Sequence, residues 1–171
     1  MTVIQENPTN TYILRTHQPG DMGWVIYRHA VLYNQEYGWN GEFEVIVADI
    51  ARDFLQNFDP DKERCWIAER DGDILGSIFL VKQSDTIAKL RMFYIEPKAR
   101  GMGLGSRLVQ ECVELAREKG YQKIVLETAS MLLPARHLYQ KAGFQLIFEE
   151  ARCSFGHDIV VETWELGLNH D

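Results

Sequence analysis

"IEPKARGMGLGSRLVQ" (residues 95–110) joins an apolar strand pattern ending at Ile95 to a helical pattern beginning near Leu104, with glycines at 101, 103 and 105 in between. From Gly103 to Lys119 the residues Leu104, Leu108, Val109, Cys112, Val113, Leu115 and Ala116 form an apolar stripe. Arg107, Glu111, Glu114 and Glu118 take the other side, and Gly120 stops the helix. The glycines therefore sit at a helix N-terminus. Such an end leaves backbone N–H groups unpaired and carries partial positive charge, and residues without a Cβ let an anion's oxygens come close. With Arg100 alongside, the stretch reads as a phosphate or pyrophosphate site.

Two familiar phosphate motifs fit poorly. A P-loop requires a lysine after its last glycine, where this chain has Ser106 and Arg107. A dinucleotide fingerprint counted from Gly101 or Gly103 puts Ser106 or Leu108 where its third glycine belongs, and 66 residues after Gly105 are few for a doubly wound sheet.

The rest of the chain alternates strands and helices. "TYILRTH" (11–17) predicts a strand, and Pro19-Gly20-Asp21 ends it, with Asp21 as the expected N-cap of a helix carrying Met22, Val25, Ile26, His29, Leu32 and Tyr33 on one face. A second amphipathic helix carries Phe43, Ile46, Val47, Ile50 and Phe54. "CWIAER" and "DILGSIFLVK" flank Asp71-Gly72, a type I′ hairpin signal, and "TIAKLRMFYIEP" is a third long strand closed by Pro97. "YQKIVLET", the short helix "PARHLYQKA" with Pro134 in its first turn and Gly143 at its end, and the strands "FQLIFEE" and "IVVETWEL" complete the order β-α-α-β-β-β-α-β-α-β-β.

At 171 residues and 46% hydrophobic content, the chain is one domain with a full core. Its 25 acidic residues against 18 basic give a net charge of −7 and a pI near 5.3, which argues against a nucleic-acid partner. Cys65, Cys112 and Cys153 are odd in number and form no CxxC pair, so free thiols in a reducing compartment are expected, and no zinc ligand set is legible. "MTVIQENPTN" lacks a leader's basic and apolar regions, and no apolar run approaches the ~20 residues that span a bilayer. The expectation is a cytoplasmic protein with no membrane partner and residues 1–10 as a loose segment. A homodimer is left open.

"RGMGLG" (100–105) resembles the Arg/Gln-x-x-Gly-x-Gly/Ala signature of the GCN5-related N-acetyltransferases (GNATs), and it follows "FYIEP" as that signature follows its strand. "ARHLYQKAGF" (135–144) is similar to the family's second hallmark, a short helix ending in Tyr-x-Lys-x-Gly-Phe. The resemblance implies an α/β (α+β) single domain, a central mixed but mostly antiparallel sheet of about seven strands with helices on both faces. It implies transfer of an acetyl group from acetyl-CoA, without a metal, to the amine of a small molecule, amino acid or protein. "GDMGWVIYRHAVLYNQEYGW" and "SFGHDIVVETWEL" further resemble a subgroup often fused to MarR-type regulators, here without the helix-turn-helix half. A non-catalytic acyl-CoA sensor or regulator partner is the alternative.

By the same resemblance, the backbone of Phe93, Tyr94 and Ile95 pairs with the pantetheine arm, and the amides of Gly101, Met102, Gly103, Leu104, Gly105 and Ser106, beside Arg100, hold the pyrophosphate. The alternation of Lys89 and Arg91 with Leu90 and Met92 passes into the apolar "MFYI", consistent with a bulge or splay that frees edge groups. Where many members have an asparagine before the second motif this chain has "TASMLLP", with Ser130 as a substitute. Attack on a thioester needs a base for an amine of pKa near ~10, and departure of a thiolate, whose thiol titrates near about 8.5, gains from a proton donor. Tyr139 is the expected donor and Glu127 the expected base, ahead of Glu96 and His157. The acceptor pocket, walled in this family by the first two helices and the last hairpin, nominates His29, Tyr33, Tyr37, His157 and Trp164, with Arg28, Glu36 and Trp39 nearby. Net charge and the lack of a basic cleft signature favour a cationic or neutral acceptor.

Overall fold

The computed structural model describes residues 12–168, so the expected loose segment 1–10 lies outside the described residues. The elements follow the order read from sequence: β1 (Ile13–Thr16), α1 (Asp21–Tyr37), α2 (Gly41–Asn57), β2 (Arg64–Arg70), β3 (Asp73–Lys82), β4 (Ile87–Ile95), α3 (Leu104–Glu118), β5 (Lys123–Ala129), α4 (Leu133–Ala142), β6 (Gln145–Ser154) and β7 (His157–Gly167). A single 3-10 turn, Pro97–Ala99, links β4 to the glycine segment. All seven strands form one sheet in the order β1-β2-β3-β4-β5-β7-β6, antiparallel except at β4–β5.

Local chemistry sets the turns. Asp71 and Gly72 have φ of 52° and 82°, the left-handed pair that a two-residue I′ hairpin requires. Gly143 closes α4 at φ 99°. The cap of α1 differs from expectation. Gly20, at φ 98°, occupies the N-cap, and Asp21 is the first helical residue. The Asp21 carboxylate is held by Arg15 at 2.7 and 3.1 Å and by the Gln18 N–H at 2.7 Å. Pairing with a buried guanidinium outweighs capping, a contact of one hydrogen bond.

Two apolar layers cover the sheet. Leu104, Leu108, Cys112 and Leu115 of α3 pack with Leu90, Ile124, Leu126 and Trp164 on one face. Met22, Val25, Ala51 and Phe54 of α1 and α2 pack on Cys65, Ile67 and Phe79 on the other. Residues alternate between faces along a strand, so Lys89 and Arg91 fall on the α1/α2 side while Leu90 joins the α3 side. None of the described helices is long and apolar enough to cross a membrane.

The sheet opens in its middle. β4 and β5 pair in parallel only over Ile87–Lys89 with Lys123–Val125, after which β5 continues with β7 alone. On its other side β4 carries a bulge, since Ser77 and Phe79 face Tyr94 and Arg91. Met92 sits in the bulge at φ 49°, rare for a side chain of its size, and its carbonyl accepts from Ser77 Oγ at 3.2 Å. Beyond Lys89 the β5-side edge of β4, Phe93–Ile95 included, has no strand partner among the described residues, while Tyr94 and Ile95 keep their pairing with β3.

Candidate active site

The three glycines answer to two different demands. Gly101 and Gly103 both have φ 79°, and a Cβ on either would meet open space, so the backbone's hand is what calls for glycine there. Gly105 is ordinary in conformation, but a Cβ would stand 2.6 Å from Leu138 Cδ1 and 3.3 Å from Phe93 Cζ; it lets α3 approach α4 and β4. The helical ladder of α3 begins where Arg107 N–H meets the Gly103 carbonyl at 3.1 Å. The residues at this helix start line a cleft of about 520 Å3 together with Tyr37, Tyr94, Ile95 and Arg100, among others; Gly101, Gly103, Leu104, Gly105 and Ser106 are all in the lining. Arg100 reaches across its mouth to Glu36 Oε1 at 2.6 Å. Met102 is absent from this lining: its side chain packs on the α3 core.

A second cavity of about 270 Å3 lies on the α1/α2 side of the splay. His29, Lys89, Arg91, Glu127, Tyr139 and Arg152 line it, within an aromatic wall of Trp39, Phe43 and Phe155. Tyr33, Phe93, Leu132 and Ala135 line both cavities, so the two meet across the bulged strand. The basic side chains correct the expectation of a cleft without a basic signature.

Each candidate can now be placed. Tyr139 is 4% exposed, its ring 6.1 Å from Phe93 and 5.9 Å from Phe144, and burial pushes its phenol well above the usual range. Glu127 is half exposed, 3.7 Å from Lys89 Nζ. Burial, and then the neighbouring Arg91 charge, pull the Lys89 ammonium below its ordinary pKa, while Glu127 acts in the opposite sense. Tyr37 lines the larger cleft. Ser130 lines neither cavity; its N–H bonds the Val160 carbonyl at 2.9 Å. Trp164 is a core residue of the α3 side whose indole N–H reaches Glu162 at 3.3 Å. His157 is outside both linings and serves as a clasp, its Nε2–H donating to the Gly38 carbonyl at 3.0 Å and tying the β6–β7 turn to the α1–α2 loop. Asn40 N–H on the Phe155 carbonyl and Phe155 N–H on Glu42 reinforce that tie.

His29 is a buried polar group in the lining of the second cavity. Its Nδ1–H donates to the Val25 carbonyl at 2.8 Å, which assigns the tautomer and leaves Nε2 as an acceptor with no partner among the described residues. Burial pushes the imidazole down to about 4. In the unfolded chain it titrates near about 6.5, so as pH falls below that value protons favour the unfolded state, and stability drains until the folded group titrates near 4. Urea unfolding at pH 7.5 and pH 5 should differ by about 2 kcal/mol more in the parent than in His29→Gln. Equal differences in both proteins would mean that His29 is not held neutral by the fold.

The sequence reading missed Arg91, Lys89, Arg152 and Phe155. The alternation of Lys89 and Arg91 with apolar neighbours was the available signal, but it reads equally as a solvated strand face.

The glycine-led cleft and the second cavity share Tyr33, Phe93, Leu132 and Ala135, with Tyr139 and Glu127 in the lining of the second. Residues 26–144 match the acetyltransferase (GNAT) family, and the chain belongs to it. An uncharacterized N-acetyltransferase of Escherichia coli K12, YjgM, is 32% identical over 126 residues, which are 71% of this chain and 75% of that one. N-acetyltransferase 8B of Homo sapiens is 26% identical over 63% of this chain and 50% of its own length. Among solved structures, yncA of Salmonella typhimurium with its cofactor acetyl-CoA superposes with a TM-score of 0.74 at 20% identity, over 95% of this chain and 96% of that one. A ribosomal-protein-alanine N-acetyltransferase from Brucella melitensis gives 0.73 at 19%, over 91% and 99%. The chain is thus an acetyltransferase of the GNAT fold.

Proposed function

We propose that this acetyltransferase moves the acetyl group of acetyl-CoA directly onto the amine of a small molecule held in the second cavity. The observation that carries this reading is the meeting of the two cavities at Phe93, beside Tyr139 and on the strand whose edge β5 leaves unpaired. The residues fit the cosubstrate: the left-handed glycines with open space above them, the leading amides of α3 and Arg100 suit a pyrophosphate. The freed backbone groups of Phe93–Ile95 suit an amide-bearing arm.

Glu127 takes a proton from the incoming ammonium, directly or through water, leaving a neutral amine to attack the thioester carbonyl. The new C–N bond forms, the C–S bond breaks, and the second proton of the former amine passes through water to the departing sulfur, which the Tyr139 hydroxyl hydrogen-bonds as it gains charge. His29 Nε2 offers an uncharged acceptor for an amine N–H in the same cavity. No cysteine is required. Burial pushes Cys112 well above its ordinary pKa, which makes it a poor nucleophile.

Thiol release from acetyl-CoA with a panel of amines tests the reading. Release above the hydrolytic background with at least one amine, abolished by CoA-site variants, is expected. Tight CoA binding with no release for any amine would favour the acyl-CoA sensor instead.

A further inference from the structure

The acceptor cavity is more basic than an amine site needs. Three cationic side chains, Lys89, Arg91 and Arg152, share its lining with one carboxylate, Glu127. Two of the three are already matched: Lys89 by Glu127 at 3.7 Å, and Arg152 by Glu150, which accepts from its Nε at 2.9 Å and its Nη2 at 2.7 Å. Arg91 has no carboxylate within ion-pair distance among the described residues, although it is only partly exposed and shares a strand face with Lys89, two residues away. Like charges so placed repel, and a guanidinium withdrawn from water without a partner is costly. A planar fork of donors in a cavity lining matches a carboxylate.

We propose that Arg91 binds a carboxylate on the acceptor, so that the acceptor is a free amino acid with an apolar side chain. The inference rests on the acetyltransferase reading above and deepens it. Three features support it together. Arg91 lines the acceptor cavity and not the glycine-led cleft, so the phosphates of the cosubstrate are not its partner. Arg91 precedes Phe93, which lines both cavities, by two positions across the bulge, so a carboxylate held by Arg91 belongs to the part of the cavity that adjoins the junction. Much of the remaining wall, including Trp39, Phe43, Phe155 and Ile159, is apolar, and a cavity of about 270 Å3 is below the usual drug-sized range of roughly 300–1,000 Å3. Glu127 and Arg91 then present opposite charges to the two ends of a zwitterion, the ammonium on the proton-accepting side.

The test compares L-phenylalanine, L-leucine and L-methionine with their amides and with phenethylamine, in the parent and in Arg91→Gln. Folding is checked by CoA binding and melting temperature. In the parent, kcat/KM for the acids should exceed that for the amides by tenfold or more, and in Arg91→Gln the ratio should fall close to one, mainly through KM for the acids. Amides or phenethylamine turned over as well as the acids by the parent, or a ratio untouched by Arg91→Gln, would overturn the proposal. A second readout is independent of turnover: calorimetry of N-acetyl-L-phenylalanine and its amide with the CoA-loaded protein. Preferential binding of the acid that Arg91→Gln removes would uphold the carboxylate site even if no amine released thiol, a result that would sink only the catalytic reading. Equal binding of acid and amide, or none of either, in a protein that releases no thiol would overturn both.

Discussion

Gly103→Asp should bind CoA at least a hundredfold more weakly than the parent while remaining folded. Gly103 has φ 79°, and nothing lies within 4 Å of a Cβ built there, so a side chain fits sterically but projects into the space ahead of the α3 amides. The left-handed backbone costs a non-glycine residue about 1–2 kcal/mol, within reach of an ordinary domain's margin of about 5–15 kcal/mol. The carboxylate does two things to an incoming pyrophosphate. It repels it, and it competes for the same N–H groups and the same half positive charge of the helix end. A hundredfold loss is about 2.7 kcal/mol, the scale of one lost charge-assisted contact together with repulsion at close range. Calorimetric titration with CoA, alongside a melting curve, measures both effects. Gly105→Asp should behave differently, losing fold before affinity, because its Cβ would collide with Leu138 and Phe93. Parental affinity in a folded Gly103→Asp protein would refute the pyrophosphate site.

What the sequence made legible was local. The apolar stripe of α3, the I′ turn at Asp71-Gly72 and the glycine signature depend on residues a few positions apart, and each appears where the pattern puts it. The bulge at Met92 was foreshadowed by the change from alternating to continuous apolar residues in "MFYI". What was not legible depends on partners distant in sequence. Trp164 pairs with Leu126 across β5–β7, and that register turns it into the α3 core rather than into the second cavity. His157 looked like a pocket histidine until the β6–β7 turn was folded onto the α1–α2 loop, where the Gly38 carbonyl occupies its Nε2–H. The place of Lys89 and Arg91 in a cavity lining was not legible, because alternation reports which face a residue takes, not how completely the helices above cover it. Met102, between two left-handed glycines, turns its side chain inward by backbone geometry that the glycine spacing alone does not specify.

The last expected result concerns the leaving group. Tyr139→Phe should lower kcat about a hundredfold while acetyl-CoA affinity and melting temperature stay near parental values. The ring is packed between Phe93 and Phe144 and is kept by phenylalanine; only the hydroxyl is lost. Burial raises the phenol above its ordinary pKa, so it stays protonated at every working pH and its hydrogen remains available to donate. The same shift makes full proton transfer to a thiolate, whose thiol titrates near about 8.5, uphill. The hydroxyl therefore acts chiefly by a charge-assisted hydrogen bond that strengthens as the C–S bond breaks. Such a bond contributes about 1.5–3 kcal/mol, or roughly ten- to a hundredfold in rate, and it exists in the transition state far more than in the ground state. KM should accordingly change little, and the alkaline limb of the kcat profile should not move, since a phenol this high does not titrate in the working range. A purely packing tyrosine predicts the reverse pattern, turnover kept and only stability touched. Parental kcat in Tyr139→Phe, measured by rapid quench where acetyl transfer limits the rate, would transfer the role to water.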